Sequence, residues 1–339
     1  MSETPKIGIL LVNLGTPKNP SFIEIAKYLR EFLSDPRVID LPKIIRLILV
    51  YVIILPTRPF KAKKAYSKIW SKDGSPLRYI SNNVTTKLQQ KIEENYLVAG
   101  SMRYGEPSIA SGVQKLKDCS KIIVLPLFPQ YSSAATGSAT EKAMNEISKL
   151  WNIPDIQIIN SFYQHKSFIK AYSNNISAQL KQQKHAFLLF SYHGLPTRHI
   201  AKSNCTYTCA GGSNPCPSIT KKNHFCYKAQ CYATSKLIAK ELELDQESYS
   251  TSFQSRLGKT PWIPPYTDDM LLLLREREIE NLVIACPAFV TDCLETLEEI
   301  GMEAKKTWLQ LGGKNLTLVP CLNDDDLWIS SIIDIIKNP

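Results

Sequence analysis

The sequence lacks any apolar run long enough to cross a membrane. Its longest, IIRLILVYVIIL, covers residues 44–55 and is interrupted by Arg46, whereas a spanning helix needs about 20 apolar residues. Two interpretations of this segment remain open: a helix buried in the core, or a helix lying in a membrane interface. The cationic flanks LPK and PTRPFKAKK favour the interface, because basic residues beside an apolar face are attracted to anionic lipid.

We also expect no cleavable leader, since MSETPKIGILLVNLG has no basic region followed by a long apolar stretch and a small-residue cleavage site. We therefore expect a cytoplasmic protein, whose nine cysteines are thiols or metal ligands rather than disulfides. The net charge is +10, but no basic run is interleaved with aromatic residues. The charge thus favours an anionic membrane surface or an acidic small substrate, and we expect no nucleic-acid partner.

Short apolar, β-rich runs alternate with helical patterns along the 339 residues, a length that suits two ordinary domains. We predict strands at 7–14, 97–102, 121–127, 156–160, 186–191, 248–253, 282–286 and 316–319. Strand–helix alternation of this kind predicts an α/β fold with mostly parallel sheets flanked by helices.

A weak internal repeat divides the chain. ILLVNLGTP near the start matches FLLFSYHGLP near residue 190, and IIVLPLFPQYS matches LVIACPAFVTD in the same order. Two similar halves, offset by about 160 to 180 residues, suggest a duplicated α/β unit with a cleft between the halves. Because ligands bind beyond the carboxyl ends of parallel strands, we expect Asn13, Tyr131, His193 and 292–295 to face that cleft.

His193 is the strongest catalytic candidate among the five histidines, because FSYHGLP places it at a strand end with Gly194 behind it. The alternative is a histidine that is hydrogen-bonded for structure alone. Carboxylates form the second cluster, in FVTDCLETLEEIGMEAKK: Glu295 and Glu299 recur at helical spacing after Asp292. The alternative here is a solvated acidic helix start. A histidine facing a carboxylate could bind a divalent ion or take protons from a substrate.

Three further features surround these clusters. YSSAATGSAT, which begins at Tyr131, is a small, hydroxyl-rich loop after a strand and suits an anionic group, although it lacks the GxxxxGK[ST] pattern of nucleotide sites. RYGEP supplies a cation and an aromatic ring at another strand end, and Trp262 offers a flat apolar wall.

A cysteine-rich insertion, SNCTYTCAGGSNPCPSITKKNHFCYKAQC, holds five of the nine cysteines. Their spacing, C-x3-C-x6-C-x9-C, differs from that of a zinc ribbon. A reduced, metal-free loop is the alternative to a metal site, but so many exposed thiols would be an oxidative liability.

These segments together resemble the ferrochelatase family, which inserts ferrous iron into a porphyrin in the last step of haem synthesis. The resemblance rests on eight motifs in order along nearly the whole chain: LLVNLGTP, WSKDGSPL, SMRYGEPS, LFPQYSSAATGS, FSYHGLP, FQSRLGKTPWIPPYTD, FVTDCLETLEEI and CLNDDDLWI. It implies two Rossmann-like domains around a porphyrin cleft. We assign 1–160 to the N-terminal half, with an apolar lip at about 42–60, and 161–339 to the C-terminal half, with the cysteine-rich insertion at about 203–231.

The resemblance also implies roles for single residues. His193 and Glu295 match the catalytic histidine and carboxylate, which accept the pyrrole protons or ligate the incoming iron, and Asp292 and Glu299 match an acidic path for metal or protons. The positions that match the porphyrin pocket are Asn13, Leu14, Arg103, Tyr104, Tyr131 and Trp262. The lip matches the surface that meets the membrane, so we expect peripheral association with the inner membrane.

Two departures from the family concern the metal. Some relatives carry an aromatic residue or methionine at position 14, whereas Leu14 cannot ligate iron. Several relatives carry a histidine where this chain has Cys293, so any support that such a histidine gives to Glu295 is absent or altered here. Because some ferrochelatases hold a [2Fe–2S] cluster, we predict one on Cys205, Cys209, Cys216 and Cys226, with structural Zn²⁺ as the runner-up.

Protoporphyrin IX is the expected porphyrin, because an apolar lip suits the more apolar substrate. A coproporphyrin ferrochelatase, a cobalt chelatase of corrin synthesis and a non-catalytic porphyrin or haem carrier are the alternatives. A carrier needs the pocket but not His193 together with Glu295.

Overall fold

The computed structural model describes residues 6–183, 185–203, 218–256, 258 and 260–339. Three of the four predicted cluster ligands, Cys205, Cys209 and Cys216, lie outside the described residues. Cys226 is described, and it is fully buried.

Two four-stranded parallel sheets form the framework of the described chain, in the orders β2-β1-β3-β4 and β6-β5-β7-β8. The strands are β1 Ile7–Gly15, β2 Tyr96–Tyr104, β3 Lys121–Pro126, β4 Asp155–Ile158, β5 Phe187–His193, β6 Tyr249–Gln254, β7 Asn281–Ala285 and β8 Asn315–Leu318. The central strands are nearly continuous apolar runs because helices bury both of their faces. The predicted α/β fold with flanked parallel sheets is confirmed.

The internal repeat noted in the sequence pairs strands that hold the same place in the two sheets. ILLVNLG lies in β1 and FLLFSYH in β5, each between the second and third strands of its own sheet. The other matched segments contain β3 and β7, which hold the next position. The two sheets therefore follow one connectivity.

Helices occupy most of the connections. The α-helices are α1 Phe22–Leu33, α2 Lys43–Ile48, α3 Arg58–Ile69, α4 Pro76–Lys91, α5 Ile109–Lys115, α6 Ser138–Ile147, α7 Lys166–Leu180, α8 Thr197–Ala201, α9 Tyr227–Glu241, α10 Thr267–Glu276, α11 Lys305–Gln310 and α12 Asp326–Lys337. In the part of the chain that the structure describes, wider, π-helical segments lie at Leu49–Ile54, Ser133–Gly137 and Glu295–Ala304, and a 3₁₀ turn lies at Gln246–Ser248.

Two compact units contain these elements. The first comprises Met1–Phe128, Ser132–Ser161 and Asn323–Pro339, and the second comprises Pro129–Tyr131 and Phe162–Leu322. The C-terminal segment was assigned to the second half from the sequence, but α12 packs on α4 of the first unit. There Lys87 Nζ donates to the carbonyl oxygen of Asp324 at 2.6 Å.

Each unit has its own apolar core. In the first unit, Leu10 and Val124 of the sheet pack with Ala143 of α6. In the second unit, Leu189 and Ile284 of the sheet pack with Trp308 of α11. Burial of these side chains stabilises each unit through the apolar area removed from water.

The apolar lip, residues 42–60, forms α2, the π-helical segment after it and the start of α3 in the first unit. Its outer face exposes a row of large apolar side chains: Ile44, Ile45, Ile48, Tyr51, Val52, Ile53 and Phe60. Arg46 points inward, where its Nη1 donates to the carbonyl oxygen of Leu41 at 2.8 Å. Within the described ranges, no helix combines the length and apolar character that a membrane span requires.

Candidate active site

His193 is the last residue of β5, and the residue after it explains the glycine of FSYHGLP. The backbone N–H of Gly194 donates to the carbonyl oxygen of Gln254, at the end of the neighbouring β6, over 2.8 Å. A Cβ atom on Gly194 would lie 2.7 Å from that oxygen. Glycine is therefore required here because two backbones approach closely.

The imidazole of His193 is held by its own neighbour. Its Nδ1 lies 2.6 Å from the carbonyl oxygen of Gly194. A carbonyl oxygen only accepts hydrogen bonds, so Nδ1 carries the hydrogen, and the neutral imidazole keeps its lone pair on Nε2. The rings of Trp262 and Phe289 flank the imidazole, with centroids at 6.5 and 6.3 Å. His193 is thus an oriented base or ligand with aromatic walls.

The acidic π-helix, Glu295–Ala304, follows β7 in the same unit. Glu295 and Glu299 on it are half-buried, whereas Glu303 is exposed. Burial raises the pKa of Glu299, and the nearby Glu295 carboxylate adds to the rise. Hydrogen bonds from Ser255 and Gln254 and the charge of a protonated His193 act in the opposite direction. The Glu299 carboxyl therefore binds a proton more readily than an ordinary glutamate does.

Asp292 lies just before the acidic π-helix and is buried. Its Oδ1 accepts a hydrogen bond from the hydroxyl of Thr296 at 2.9 Å and another from the backbone N–H of Cys321 at 3.5 Å. These contacts tie the start of the helix to the segment after β8. Asp292 therefore has a structural role, in addition to the predicted role in an acidic path for metal or protons.

Cys293 occupies the position next to these carboxylates. Burial, together with Glu295, raises the pKa of its thiol well above the usual value, and the thiol hydrogen-bonds to the Glu295 side chain. The thiol therefore stays protonated at neutral pH, where it donates to Glu295 and cannot serve as a base.

Four predicted pocket residues belong to the first unit. Asn13 is buried, and its Nδ2 donates to the hydroxyl of Ser81 at 3.1 Å, while Leu14 beside it is half-buried. The side chain of Arg103 is 15% exposed, and its Nη2 lies 2.5 Å from Asp35 Oδ2. Tyr104 is fully buried, under the Arg103 guanidinium at 4.4 Å.

Asp35 organises this part of the first unit, and the sequence offered no signal for it. Its Oδ2 accepts hydrogen bonds from the hydroxyl of Tyr104 at 2.9 Å and from that of Ser138 at 2.5 Å. Burial, reinforced by the Asp35 charge, raises the pKa of Tyr104, which stays a neutral donor. The Arg103 and Tyr104 side chains are thus oriented by a carboxylate at the end of α1.

Tyr131 and Trp262 belong to the second unit and are both half-buried. The backbone N–H of Tyr131 donates to Gln230 Oε1 at 2.6 Å, and its ring packs against Phe225 at 5.0 Å. Trp262 lies against the segment after His193, through a bridge to Pro196. Two neighbours of His193 were missed from the sequence: Gln254, which ends β6 as His193 ends β5, and Phe289, which comes four residues after the end of β7.

Among the residues that the structure describes, no three His, Cys, Asp or Glu side chains come together as a metal site. His193, Glu295 and Glu299 all belong to the second unit, and the charges of His193 and Glu295 act on the Glu299 carboxyl.

The fold belongs to the class of two-domain α/β chelatases. It resembles SirB from Bacillus subtilis with Fe³⁺ (TM-score 0.54, 13% identity, 98% of this chain and 94% of that one) and the sirohydrochlorin chelatase SirB from Bacillus subtilis subspecies spizizenii in complex with cobalt (TM-score 0.53, 12% identity, 98% and 94%). At these identities the likeness concerns the fold alone.

Sequence comparison gives the family. The ferrochelatase profile matches residues 6–339. A ferrochelatase from Legionella pneumophila strain Philadelphia 1 is 53% identical over 97% of this chain and 98% of its own length, and one from Coxiella burnetii strain CbuK_Q154 is 44% identical over 98% and 93%. The chain belongs to the ferrochelatase family. It is a metal chelatase of the lyase class, and the family implies ferrous iron and a porphyrin as its substrates in haem biosynthesis.

Proposed function

We propose that this enzyme inserts ferrous iron into protoporphyrin IX, forms protohaem and releases two protons. The observation that carries the proposal is the His193 imidazole, whose Nδ1 is held by the Gly194 carbonyl oxygen at 2.6 Å between two aromatic rings. This arrangement supports a base whose Nε2 lone pair has a fixed direction.

Proton removal is the part of the reaction that the side chains support best. Nε2 of His193 accepts a proton from a pyrrole N–H, and the resulting imidazolium stabilises the nearby carboxylates of Glu295 and Glu299. The raised pKa of Glu299 suits a group that takes up this proton and releases it later. The same Nε2 lone pair could ligate iron instead, but it cannot do both at once.

The proposed porphyrin-binding residues are Asn13, Leu14, Arg103, Tyr104, Tyr131 and Trp262. Their chemistry supports this role, because aromatic and apolar side chains suit a macrocycle and a cation suits a propionate. Binding energy from these remote contacts bends the ring and exposes the pyrrole nitrogens to the metal.

The apolar lip binds peripherally to the cytoplasmic surface of the inner membrane. Its exposed side chains include Ile44 at 73% and Val52 at 67% of full exposure, and Lys43 and Arg58 lie exposed beside them. An apolar row with cations at its borders is typical of a segment that lies in a lipid interface. An apolar substrate that partitions into lipid would reach the enzyme there, which supports protoporphyrin IX over coproporphyrin.

The cysteine-rich insertion holds a [2Fe–2S] cluster on Cys205, Cys209, Cys216 and Cys226. Cys226 directly precedes α9 and borders the insertion, whereas Cys231 lies inside that helix and is left as a spare thiol. Iron and acid-labile sulfide in equal amounts, with absorbance between about 400 and 600 nm, are expected. A colourless protein with one zinc would contradict the cluster.

The experiment compares two porphyrins under anaerobic conditions. Purified enzyme is incubated with ferrous iron and either protoporphyrin IX or coproporphyrin, and metal insertion is followed by the loss of free-porphyrin fluorescence. We expect a higher kcat/KM for protoporphyrin IX. We also expect Glu295→Gln to bind porphyrin but turn it over slowly. A preference for coproporphyrin would replace the substrate, and binding without turnover by the unmodified enzyme would indicate a carrier.

A further inference from the structure

Two residues at the end of β6, Gln254 and Ser255, contact the acidic π-helix at several points; we call them the β6 clamp. The backbone N–H of Ser255 donates to Glu299 Oε1 at 2.7 Å, and the Ser255 hydroxyl donates to Oε2 at 2.5 Å. Gln254 Nε2 donates to the backbone carbonyl oxygen of Glu295 at 2.8 Å. Both oxygens of one carboxylate and the start of the helix are thus held by two consecutive residues.

Gln254 is itself rigidly placed. It is 3% exposed, and its Oε1 accepts a hydrogen bond from the hydroxyl of Ser191 at 2.8 Å. In the parallel register of the sheet it lies directly opposite His193, and its carbonyl oxygen accepts the N–H of Gly194. The same residue therefore contacts the strand end that bears the histidine and the helix that bears the carboxylates.

Ser255 adopts a backbone conformation that serine rarely takes. Its φ of +66° lies in the left-handed region, which is strained for a residue with a side chain and persists only where the surroundings hold it. In this conformation its N–H and its hydroxyl both reach the Glu299 carboxylate. A turn that only connected β6 to the next segment would not need the N–H and the hydroxyl of Ser255 to bind a carboxylate.

We propose that Gln254 and Ser255 are positioning residues for metal insertion, which hold the Glu299 carboxylate and the start of the acidic π-helix in a fixed relation to the His193 imidazole. The proposal rests on the proposed function, because it assigns the clamp to the same reaction. A carboxylate that accepts hydrogen bonds along defined directions can meet a further donor only from its remaining lone pairs. The clamp therefore restricts the side from which the carboxylate exchanges a proton with its neighbours.

Charged and titratable groups face Glu299 from three elements. His193 lies on β5, Glu295 on the same π-helix, and the thiol of Cys286 follows β7. His193, Glu295 and Cys286 all remain when the Ser255 hydroxyl is removed. A loss of activity in that variant would therefore not be due to the loss of any of these three groups.

Ser255→Ala tests the clamp, since it removes the hydroxyl and keeps the backbone donor. We expect kcat for iron insertion to fall about tenfold, as for the loss of one hydrogen bond to a charged group, with the KM for porphyrin changed by less than about twofold. In a Glu299→Gln background the same substitution should change kcat by less than about twofold, because the carboxylate that it positions is gone. Ser331→Ala is the matched control: Ser331 is a buried serine in α12 of the first unit whose hydroxyl donates to the carbonyl oxygen of Leu327 at 2.8 Å, and we expect the kcat of the unmodified enzyme.

The proposal would be overturned if Ser255→Ala lowered kcat by the same factor in the unmodified enzyme and in Glu299→Gln. It would also be overturned if Ser255→Ala raised the KM for porphyrin and left kcat unchanged. If Ser255→Ala does not fold, Ser255→Gly accepts the positive φ without strain and gives the same readout. An unmodified enzyme that inserts no iron into either porphyrin would refute the proposed function. An active enzyme with unaffected Ser255 variants would refute only the clamp.

Discussion

Gly194→Ala tests the close packing behind the His193 imidazole. The added Cβ would lie 2.7 Å from the carbonyl oxygen of Gln254 and 3.3 Å from Cε3 of Trp262. The first atom belongs to backbone that is paired in the sheet, so one strand end must move by about half an ångström. Overpacking of this kind costs about 1–3 kcal/mol of unfolding free energy.

The same displacement moves the imidazole, whose Nδ1 is bonded to the Gly194 carbonyl oxygen. Since a misplacement of about 1 Å can cost a factor of about 10² in rate, we expect kcat to fall about tenfold. Calorimetry and the fluorescence assay measure the two effects. Gly8→Ala is the control, because the three atoms nearest to its added Cβ all belong to the side chain of Leu116, at 3.2 Å, in the first unit. A Gly194→Ala enzyme with unchanged Tm and kcat would refute this account of the glycine.

Three other predictions concern charge. Asp35→Ala removes the carboxylate that pairs with the Arg103 guanidinium, although Arg103 keeps its hydrogen bonds to Ser138. The unfolding free energy, measured by calorimetry, should fall by about 3–5 kcal/mol, and an unchanged Tm would contradict the network. The pKa of Glu299 is raised, so the folded state binds its proton more tightly, and stability should fall as pH rises from about 4.5 through the raised pKa. Glu299→Gln should remove that fall in a Tm series against pH, and a parallel curve would contradict it. Val52→Asp should weaken binding to anionic vesicles by at least about tenfold without changing Tm. The control is Ile153→Asp, at an exposed residue outside the lip, which should bind vesicles like the unmodified enzyme. Equal binding by both variants would contradict the proposed membrane contact of the lip.

The central strands could be predicted from the sequence because each contains a short apolar run between helical patterns. The run HAFLLF predicts a strand at 186–191, whereas β5 ends two residues later, at His193 itself. Parallel strands that are buried on both faces are continuous apolar segments in the sequence. Their positions can therefore be predicted without knowing which strands they pair with.

The contacts around the candidate site could not be predicted in this way. Asp35 lies 68 residues from Arg103 in the chain, and nothing in the local pattern connects them. The wider turn of the acidic π-helix leaves no mark on an apolar periodicity that reads as an ordinary helix. The φ of Ser255 is likewise a product of tertiary packing, since serine does not favour it locally.

The membership of α12 shows a similar limit. Its apolar pattern predicts a helix, but only the fold reveals that it packs on α4 of the first unit. Helical periodicity predicts which face of a helix is buried, but it does not predict which other element covers that face.

The central claim, that His193 removes the pyrrole protons, is tested most directly by single-turnover metal insertion under anaerobic conditions. Unmodified enzyme and His193→Ala are loaded with protoporphyrin IX and mixed with ferrous iron, and the loss of free-porphyrin fluorescence is recorded. We predict that the variant binds the porphyrin with similar affinity but inserts iron at least about 10² times more slowly, the contribution expected of a general base. Insertion by the variant at the rate of the unmodified enzyme would contradict the account.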